Sequence, residues 1–470
     1  MRALAAAVAL MVAGSAFAAA PTGTPGPDRI STVNGARDVV RCGAGRDIVV
    51  ADLKDVVARD CEVLTRRIAV DVTTAPESQH RSIVEPSAVG DGDTVVSVFQ
   101  SGRAVKGGAT AIGWTTSGDG GLTWRRGLLP DSGAARVSDP VVARDRVHGL
   151  WIAAVLALFP ARTELLIYAS PDGLGWGPPV VAAAATPAAE QPIAYDKEWV
   201  ACDNRPASPH AGSCYLAYSD LTAATGGLRT SQDGGATWGP EAQFGSPGTG
   251  AVIGAVPATT ADGALVVVYA TGDLHAVEAV TSADGGATFG LPVSIAALQA
   301  HSTPLRVPPL PSVAETARGI SAVWPDCAAH PGCTANDVVV SDSADGVSWS
   351  TSRVVAAGGD YVTPTIGAAG DAAAVLAYVR LPGACCRLGI RLFRSADAGA
   401  TWGAPIRLDA QSMDAAWLAR SLDGGNAVGF LGDYTAVAFV GSRPVPVYAA
   451  ALPPQAGTLR EDLYATTRLP

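Results

Sequence analysis

Charge is scarce in this chain. Only 16% of its 470 residues are charged, and 33 Lys and Arg stand against 43 Asp and Glu, a formal net charge of -10. No basic cluster is longer than Arg66-Arg67 or Arg125-Arg126, so the basic face that phosphate binding requires is missing and a nucleic-acid partner is not expected. The six His have no metal-ligand spacing, and no nucleophile elbow, phosphate loop or dinucleotide fingerprint occurs. No long apolar run follows the first twenty residues, so no transmembrane segment is expected after them.

Those first twenty residues join a basic Arg2, an apolar stretch from Ala3 to Val12 and the small residues Ala16-Phe17-Ala18, the layout of a cleavable secretory signal. The expected location is therefore secreted, in the extracellular or cell-envelope space. In that oxidising setting eight Cys read as disulfides, and local spacing suggests Cys42 with Cys61, Cys202 with Cys214, Cys327 with Cys333, and the vicinal Cys385 with Cys386. A zinc site is disfavoured, because no two Cys pairs share a two-residue spacing and no His pair accompanies them.

What the chain has in quantity is turn residues, 53 Gly and 33 Pro, and apolar residues at 48%. They are arranged in a repeat. Six segments follow or approximate Ser-x-Asp-x-Gly-x-Thr-Trp: Ser117 to Trp124, Ser170 to Trp176, Ser231 to Trp238, Ser282 to Phe289, Ser343 to Trp349 and Ser395 to Trp402. Their aspartates, Asp119, Asp172, Asp233, Asp284, Asp345 and Asp397, are 53, 61, 51, 61 and 52 residues apart. Each segment has the chemistry of a hairpin turn: a carboxylate to accept backbone N–H groups, a Gly for positive φ, hydroxyls for further backbone groups, and an aromatic ring to start the next strand.

Short apolar or alternating runs flank the turns, such as Leu265 to Tyr269 and Val277 to Val280 before the fourth, or Trp402 to Leu408 after the sixth. Four such strands per unit give the content of one propeller blade. Three further runs, Thr435 to Val440, Pro444 to Leu452 and Asp462 to Leu469, carry no turn segment, and Arg67 to Thr73 stands alone before the first unit. The expectation is an all-β propeller of four-stranded antiparallel blades over 65–470. Seven blades are preferred, the last closed by strands from both ends of the chain, with six as the alternative.

The turn segments resemble the Asp-boxes, also called BNR repeats, of the sialidase superfamily. The resemblance spans roughly residues 65 to 470 and implies a β-propeller in which the boxes are structural, away from the active face. A sialidase also needs an arginine triad, a Tyr nucleophile activated by a Glu, and an Asp acid. The early Phe/Tyr-Arg-Ile-Pro motif is missing, and its nearest match, Val379-Arg380-Leu381-Pro382, falls late in the chain. Arg81, Arg103 and Arg380 are candidate anion contacts or solvated surface residues. Tyr434 beside Asp433 resembles a nucleophile without a neighbouring Glu. The expected function is non-catalytic extracellular recognition of a glycan or polymer, with an exo-α-sialidase as the alternative; Tyr434, Asp433, Glu198 and Asp139 are then the catalytic candidates.

Several units place an acid just before the strand expected to line the propeller axis: Glu85-Pro86, Asp139-Pro140, Asp196-Lys197-Glu198-Trp199 and Asp433-Tyr434. These acids either converge on calcium, a cationic group or sugar hydroxyls, or close turns. Glu198, with Asp196, Asp139 and Asp433, is the expected centre of such a mouth, and the alternative is that Glu198 pairs with Lys197 on the surface. The candidate ligand-binding set is Glu85, Arg81, Arg103, Asp196, Trp199 and Arg380.

Residues 21–64 differ in texture. Asp28, Asp38 and Asp47 are each followed closely by Ile or Val, and Cys42 to Val50 resembles one degenerate copy of the nonapeptide of hemolysin-type calcium-binding repeats. That resemblance implies calcium at Asp38 and Asp47; Arg residues beside both leave a disulfide-closed cap without metal as the other reading.

Overall fold

The computed structural model describes residues 21–189, 191–383 and 386–470. The expected signal segment, residues 1–20, and Cys385 lie outside the described residues. The described chain is all-β apart from one 3-10 turn, Ala415–Trp417.

Strands group into four-stranded antiparallel units, consecutive in sequence through six of them. Their first strands are Ile83–Asp91, Arg136–Asp145, Tyr195–Cys202, Ile253–Thr259, Ser312–Thr316 and Asp360–Ala369. A further unit pairs Ala436–Val440, Arg443–Ala451 and Glu461–Arg468 with Val63–Ala69, a strand from the other end of the sequence. Each first strand lies against the first strand of the next unit, and Ala436–Val440 lies against both Asp360–Ala369 and Ile83–Asp91, so the succession returns on itself. The approach is close: a Cβ on Gly90 would overlap the carbonyl of Phe439, and one on Gly367 the carbonyl of Val437.

The core sits between units, because both faces of each sheet are covered. In the second strand of the third unit, Leu216 and Tyr218 pack towards Ile152 and Ile167 of the unit before, while Tyr215 and Ala217 pack towards Val267 and Tyr269 of the unit after. The two-residue period of a strand sends alternate side chains into alternate interfaces.

The turns carry the hydrogen bonds their residues suggested. In the third unit Ser231 Oγ donates to Asp233 Oδ1 at 2.8 Å and accepts the Gly235 N–H at 2.9 Å, and the Thr237 N–H reaches Asp233 Oδ1 at 2.9 Å. The same bonds recur at Asp119, Asp284 and Asp397. In the two shortened turns Asp172 and Asp345 accept backbone N–H groups two and three residues on. These bonds draw the carboxyls of Asp284, Asp345 and Asp397 down to about 2.

The pairs Cys42–Cys61, Cys202–Cys214 and Cys327–Cys333 are bonded as expected, and Cys202 and Cys214 face each other across the first two strands of the third unit. Cys386 is also disulfide-bonded.

Two expectations shift. The lone strand before the first unit runs Val63–Ala69, earlier than Arg67 to Thr73, because its outer edge pairs in parallel with Ile48–Asp52. That strand is common to the N-terminal segment and the last unit, so the division at 64/65 falls inside a strand. Upstream, parallel pairing stacks Arg29–Ser31 on Ile48–Asp52, and Val39–Val40 on Val56–Val57. The acids form ladders on that stack. Asp47 accepts the Asp28 N–H at 2.7 Å, Glu62 accepts the Asp47 N–H at 2.8 Å, and Asp55 accepts the Asp38 N–H at 2.9 Å.

Candidate ligand cleft at the mouth of the central cavity

The first strands of all these units line a cavity of about 660 Å³, with Ser87, Val142, Trp199, Val256, Ser312, Thr365 and Thr435 among its walls. Just before the lining residues, five of the first strands slip register: at Val84/Ser87, Ser138/Val141, Asp196/Trp199, Ile253/Val256 and Val362/Thr365. The first residue of every slip has positive φ: Glu85 54°, Asp139 47°, Lys197 52°, Gly254 64° and Thr363 50°. Such bulges re-aim a side chain, and a non-glycine residue held there costs of order 1 kcal/mol or more, which persists where the surroundings over-determine it. The acid-proline pairs noted in the sequence are two of these bulges.

Charged groups meet at the bulges. Gln100 Nε2 donates to Glu85 and, at 3.1 Å, to Ser138 Oγ; Ser138 Oγ donates to Asp139 Oδ1 at 2.9 Å. The Lys197 N–H reaches Asp139 Oδ2 at 3.2 Å, and Lys197 Nζ pairs with Asp433. Arg306 grips the same carboxylate with both Nη atoms, at 3.2 and 3.1 Å, and the Asp433 N–H returns to Glu85 Oε1 at 3.2 Å. Arg103 and Arg306 lie over the ring of Phe430, at 4.3 and 4.7 Å from its centroid, a cation-π arrangement that buries guanidinium against an apolar surface.

Burial governs the acids. It pushes Glu85 up to about 8, helped by Asp139 and Asp433, and Asp196 up to about 7, helped by Asp139 and Asp433 against the pull of Lys197. Glu198 is 1% exposed with neither carboxyl oxygen hydrogen-bonded, and burial, then Asp139, pushes it well above the usual range. Asp433 is the exception: burial opposes its ionisation, but Arg306 and Lys197 outweigh it and hold the carboxyl low.

Beside this network lies a cleft of about 530 Å³, walled by Asp196, Lys197, His301, Arg306 and Asp423 together with Leu221, Leu274 and Leu305. Two segments outside the four-strand repeat complete it. The connection before the fifth unit supplies His301 and Arg306, and the insert after the sixth supplies Asp423. They meet where Leu305 bridges Gly429 and the Arg306 N–H donates to the Gly429 carbonyl at 3.1 Å. His301 is fixed by Asp360, 3.1 Å from Nδ1, and by Asn336 Oδ1, 2.6 Å from its N–H.

The structure places Glu85, Asp139, Asp196, Glu198 and Asp433 near one another, with Trp199 edge-on to Tyr434 at 5.3 Å. It corrects two expectations. Glu198 does not pair with Lys197, which is committed to Asp433. Arg103 is 3% exposed rather than solvated, because Gln100, Ser421 and Phe430 enclose it. The three candidate arginines do not converge: Arg103 holds Gln100 and Ser421, Arg81 holds Asp462 at 3.3 Å, and Arg380 holds Asp360 at 2.6 Å. The Tyr434 hydroxyl donates to the Pro140 carbonyl at 2.9 Å.

Calcium finds no ready set of side-chain ligands. Among the described residues the one group of three or more His, Cys, Asp or Glu whose ligand atoms lie within 4.8 Å of one another is Asp145 with the disulfide pair Cys202 and Cys214. Asp38 and Asp47 belong to different ladders, Asp38 donating its N–H to Asp55 and Asp47 accepting the Asp28 N–H. Asp47 Oδ1 already serves the Asp28 N–H, leaving only Oδ2 without a partner.

No protein-family model matches the chain, and no curated relative does. Among solved structures, a protein of unknown function from Dyadobacter fermentans aligns at 15% identity and TM-score 0.46, covering 70% of this chain and 98% of that one. An alpha-L-arabinanase of Penicillium chrysogenum aligns at 15% identity and TM-score 0.43, covering 86% and 97%. An intramolecular trans-sialidase from Ruminococcus gnavus aligns at 14% identity and TM-score 0.43, covering 73% and 97%. Likeness at this level says nothing of activity.

Proposed function

We propose that the chain is an exported seven-bladed β-propeller that recognises carbohydrate at the mouth of its central cavity without cleaving it. The cyclic succession of first strands and the last unit's strand from the opposite end of the sequence support the blade count. The signal-like first twenty residues and three disulfides support export. No helix among the described residues is long and apolar enough to cross a membrane.

One observation carries the recognition reading: the cleft of about 530 Å³ mixes apolar walls with polar groups whose positions are fixed by partners, Lys197 and Arg306 by Asp433 and His301 by Asp360. Fixed donors and acceptors on an apolar wall suit the hydroxyls and ring faces of a sugar. The non-catalytic part rests on the separate engagements of Arg81, Arg103 and Arg380 and on the Tyr434 hydroxyl's bond to a carbonyl rather than to an acid. A glycan array tests it. Binding to a defined set of saccharides, lost in Arg306→Met, is the expected result. Release of free sialic acid from a fluorogenic sialoside, abolished by Tyr434→Phe, would establish the hydrolase instead.

A further inference from the structure

We infer that the groove between the N-terminal stack and the sixth unit is a second binding site, one that takes a carboxylate-bearing sugar unit, a uronate, on the guanidinium groups of Arg29 and Arg46. The site lies outside the mouth and does not depend on the reading of it. Arg29 opens the first stacked strand, and Arg46 stands two residues before Ile48. Parallel pairing sets Arg29 beside Ile48, and Ile48 beside Val63, so the pleat brings Arg29, Ile48 and Val63 to one face. That face packs on the sixth unit, where Ile48, Val63 and Ile406 belong to one buried cluster. Around this contact Arg29, Arg46, Pro27, Pro405 and Arg407 wall a groove of about 500 Å³.

What marks the groove is its free donors. Arg29 and Arg46 are exposed, and neither has a hydrogen-bond or ion-pair partner among the described residues. Arg407 adds a third guanidinium from the sixth unit. Its Nε and Nη2 are held by the carbonyl and carboxylate of Asp409, at 2.8 and 2.5 Å, which leaves Nη1 without a partner among the described residues. The nearby acids are engaged elsewhere. Asp28 reaches the groove, but its carboxylate accepts the Thr24 N–H and hydroxyl, at 2.5 and 3.1 Å. Asp47 and Glu62 accept the stacking N–H groups and do not line the groove. Asp409 pairs with Arg391, 3.0 Å away, as well as with Arg407. A guanidinium presents a planar fork of N–H donors that matches a carboxylate. At about 500 Å³ the groove exceeds an inorganic anion and has the size of a small-molecule site, and Ile48, Val63 and Ile406 give a sugar ring an apolar floor. Three guanidinia on a chain of net charge -10 fit one carboxylate per sugar. The dense phosphates of a nucleic acid or an anionic bilayer would instead be repelled by the remaining surface.

The experiment titrates the purified full chain by calorimetry, at physiological ionic strength, with trigalacturonate, neutral galactotriose and inorganic sulfate. Trigalacturonate is expected to bind at least about ten times more tightly than either of the others, and the double variant Arg29→Met with Arg46→Met to lose that preference. Both positions are exposed, so the variant is expected to keep the native melting curve. Should it melt early, Arg29→Lys with Arg46→Lys keeps the charge without the fork and is expected to weaken trigalacturonate binding several-fold; unchanged binding there overturns the inference. Equal affinity for trigalacturonate and galactotriose overturns it, as does sulfate binding as tight as trigalacturonate, which would make the groove a bare anion site. Trigalacturonate binding that survives in the double variant and is lost in Arg306→Met places the sugar at the mouth, overturning the inference and leaving the mouth reading intact. An array without a saccharide lost in Arg306→Met removes the mouth reading and leaves this one.

Discussion

Both oxygens of Glu198 are buried without a donor, so folding favours its protonated form. An acid whose folded value is raised takes up a proton on folding. Its contribution is whole below the unfolded value, near 4.5, and is lost as pH rises towards the folded one. Glu198→Gln removes that loss. Calorimetry should find the variant melting with the native protein at pH 4.5 and above it at pH 8; a variant melting lower at pH 8 would mean that an ionised Glu198 meets a cation. At this scale the sequence was half legible. Glu85, Asp139, Asp196, Glu198 and Asp433 stood out because acids are few and precede apolar runs. Arg103 was misjudged because its burial depends on Phe430 and Ser421, more than 300 residues away. Arg306 and His301 gave no signal, lying in a connection outside the repeat.

The hydrogen bonds of the six Ser-x-Asp turns were legible because their chemistry is local: in the third, Ser231, Asp233, Gly235 and Thr237 act on one another within four positions. Ser231 is 1% exposed and carries two of these bonds, so Ser231→Ala leaves the buried Gly235 N–H without an acceptor. The expected cost is about 1 to 2 kcal/mol in urea denaturation, whereas Thr237→Ala, on the exposed side of the turn, should cost less. An equal loss for both would deny the turn its buried anchor. The bulges were only partly legible. Their register is set against the neighbouring strand, and the positive φ of Lys197 and Thr363 has no residue preference to announce it. The N-terminal ladders were hidden likewise, since parallel stacking joins residues 15 to 19 apart.

At the scale of the whole molecule, two opposed sets of carboxyls shape stability. The turn acids at about 2 stabilise the fold above their unfolded value near 3.8, and that contribution is lost as pH falls from there towards 2. Glu85, at about 8, and Asp196, at about 7, act in the other direction: their contribution is whole below their unfolded values, near 4.5 and 3.8, and is lost progressively as pH rises from there to 8 and 7. Denaturant midpoints measured from pH 3 to 9 should therefore peak in mild acid, at about pH 4 to 5, and a peak at pH 8 would mean that the mouth acids are ionised in the folded protein. The pairing of Val63–Ala69 with Glu461–Arg468 ties together residues from opposite ends of the sequence, which the four unassigned runs foretold in outline. The insert and the connection that complete the cleft follow no repeat and could not be placed from spacing.

As proposed, this mouth binds saccharide and leaves it whole. The direct measurement is equilibrium binding of an array-selected oligosaccharide to native and Arg306→Met proteins, with the bound ligand recovered and its chain length read by mass spectrometry. Saturable binding by the native protein, at least about ten-fold weaker binding by the variant, and recovery of the ligand at its original length are the expected results. Shortened ligand, or equal binding by both proteins, would contradict the proposal.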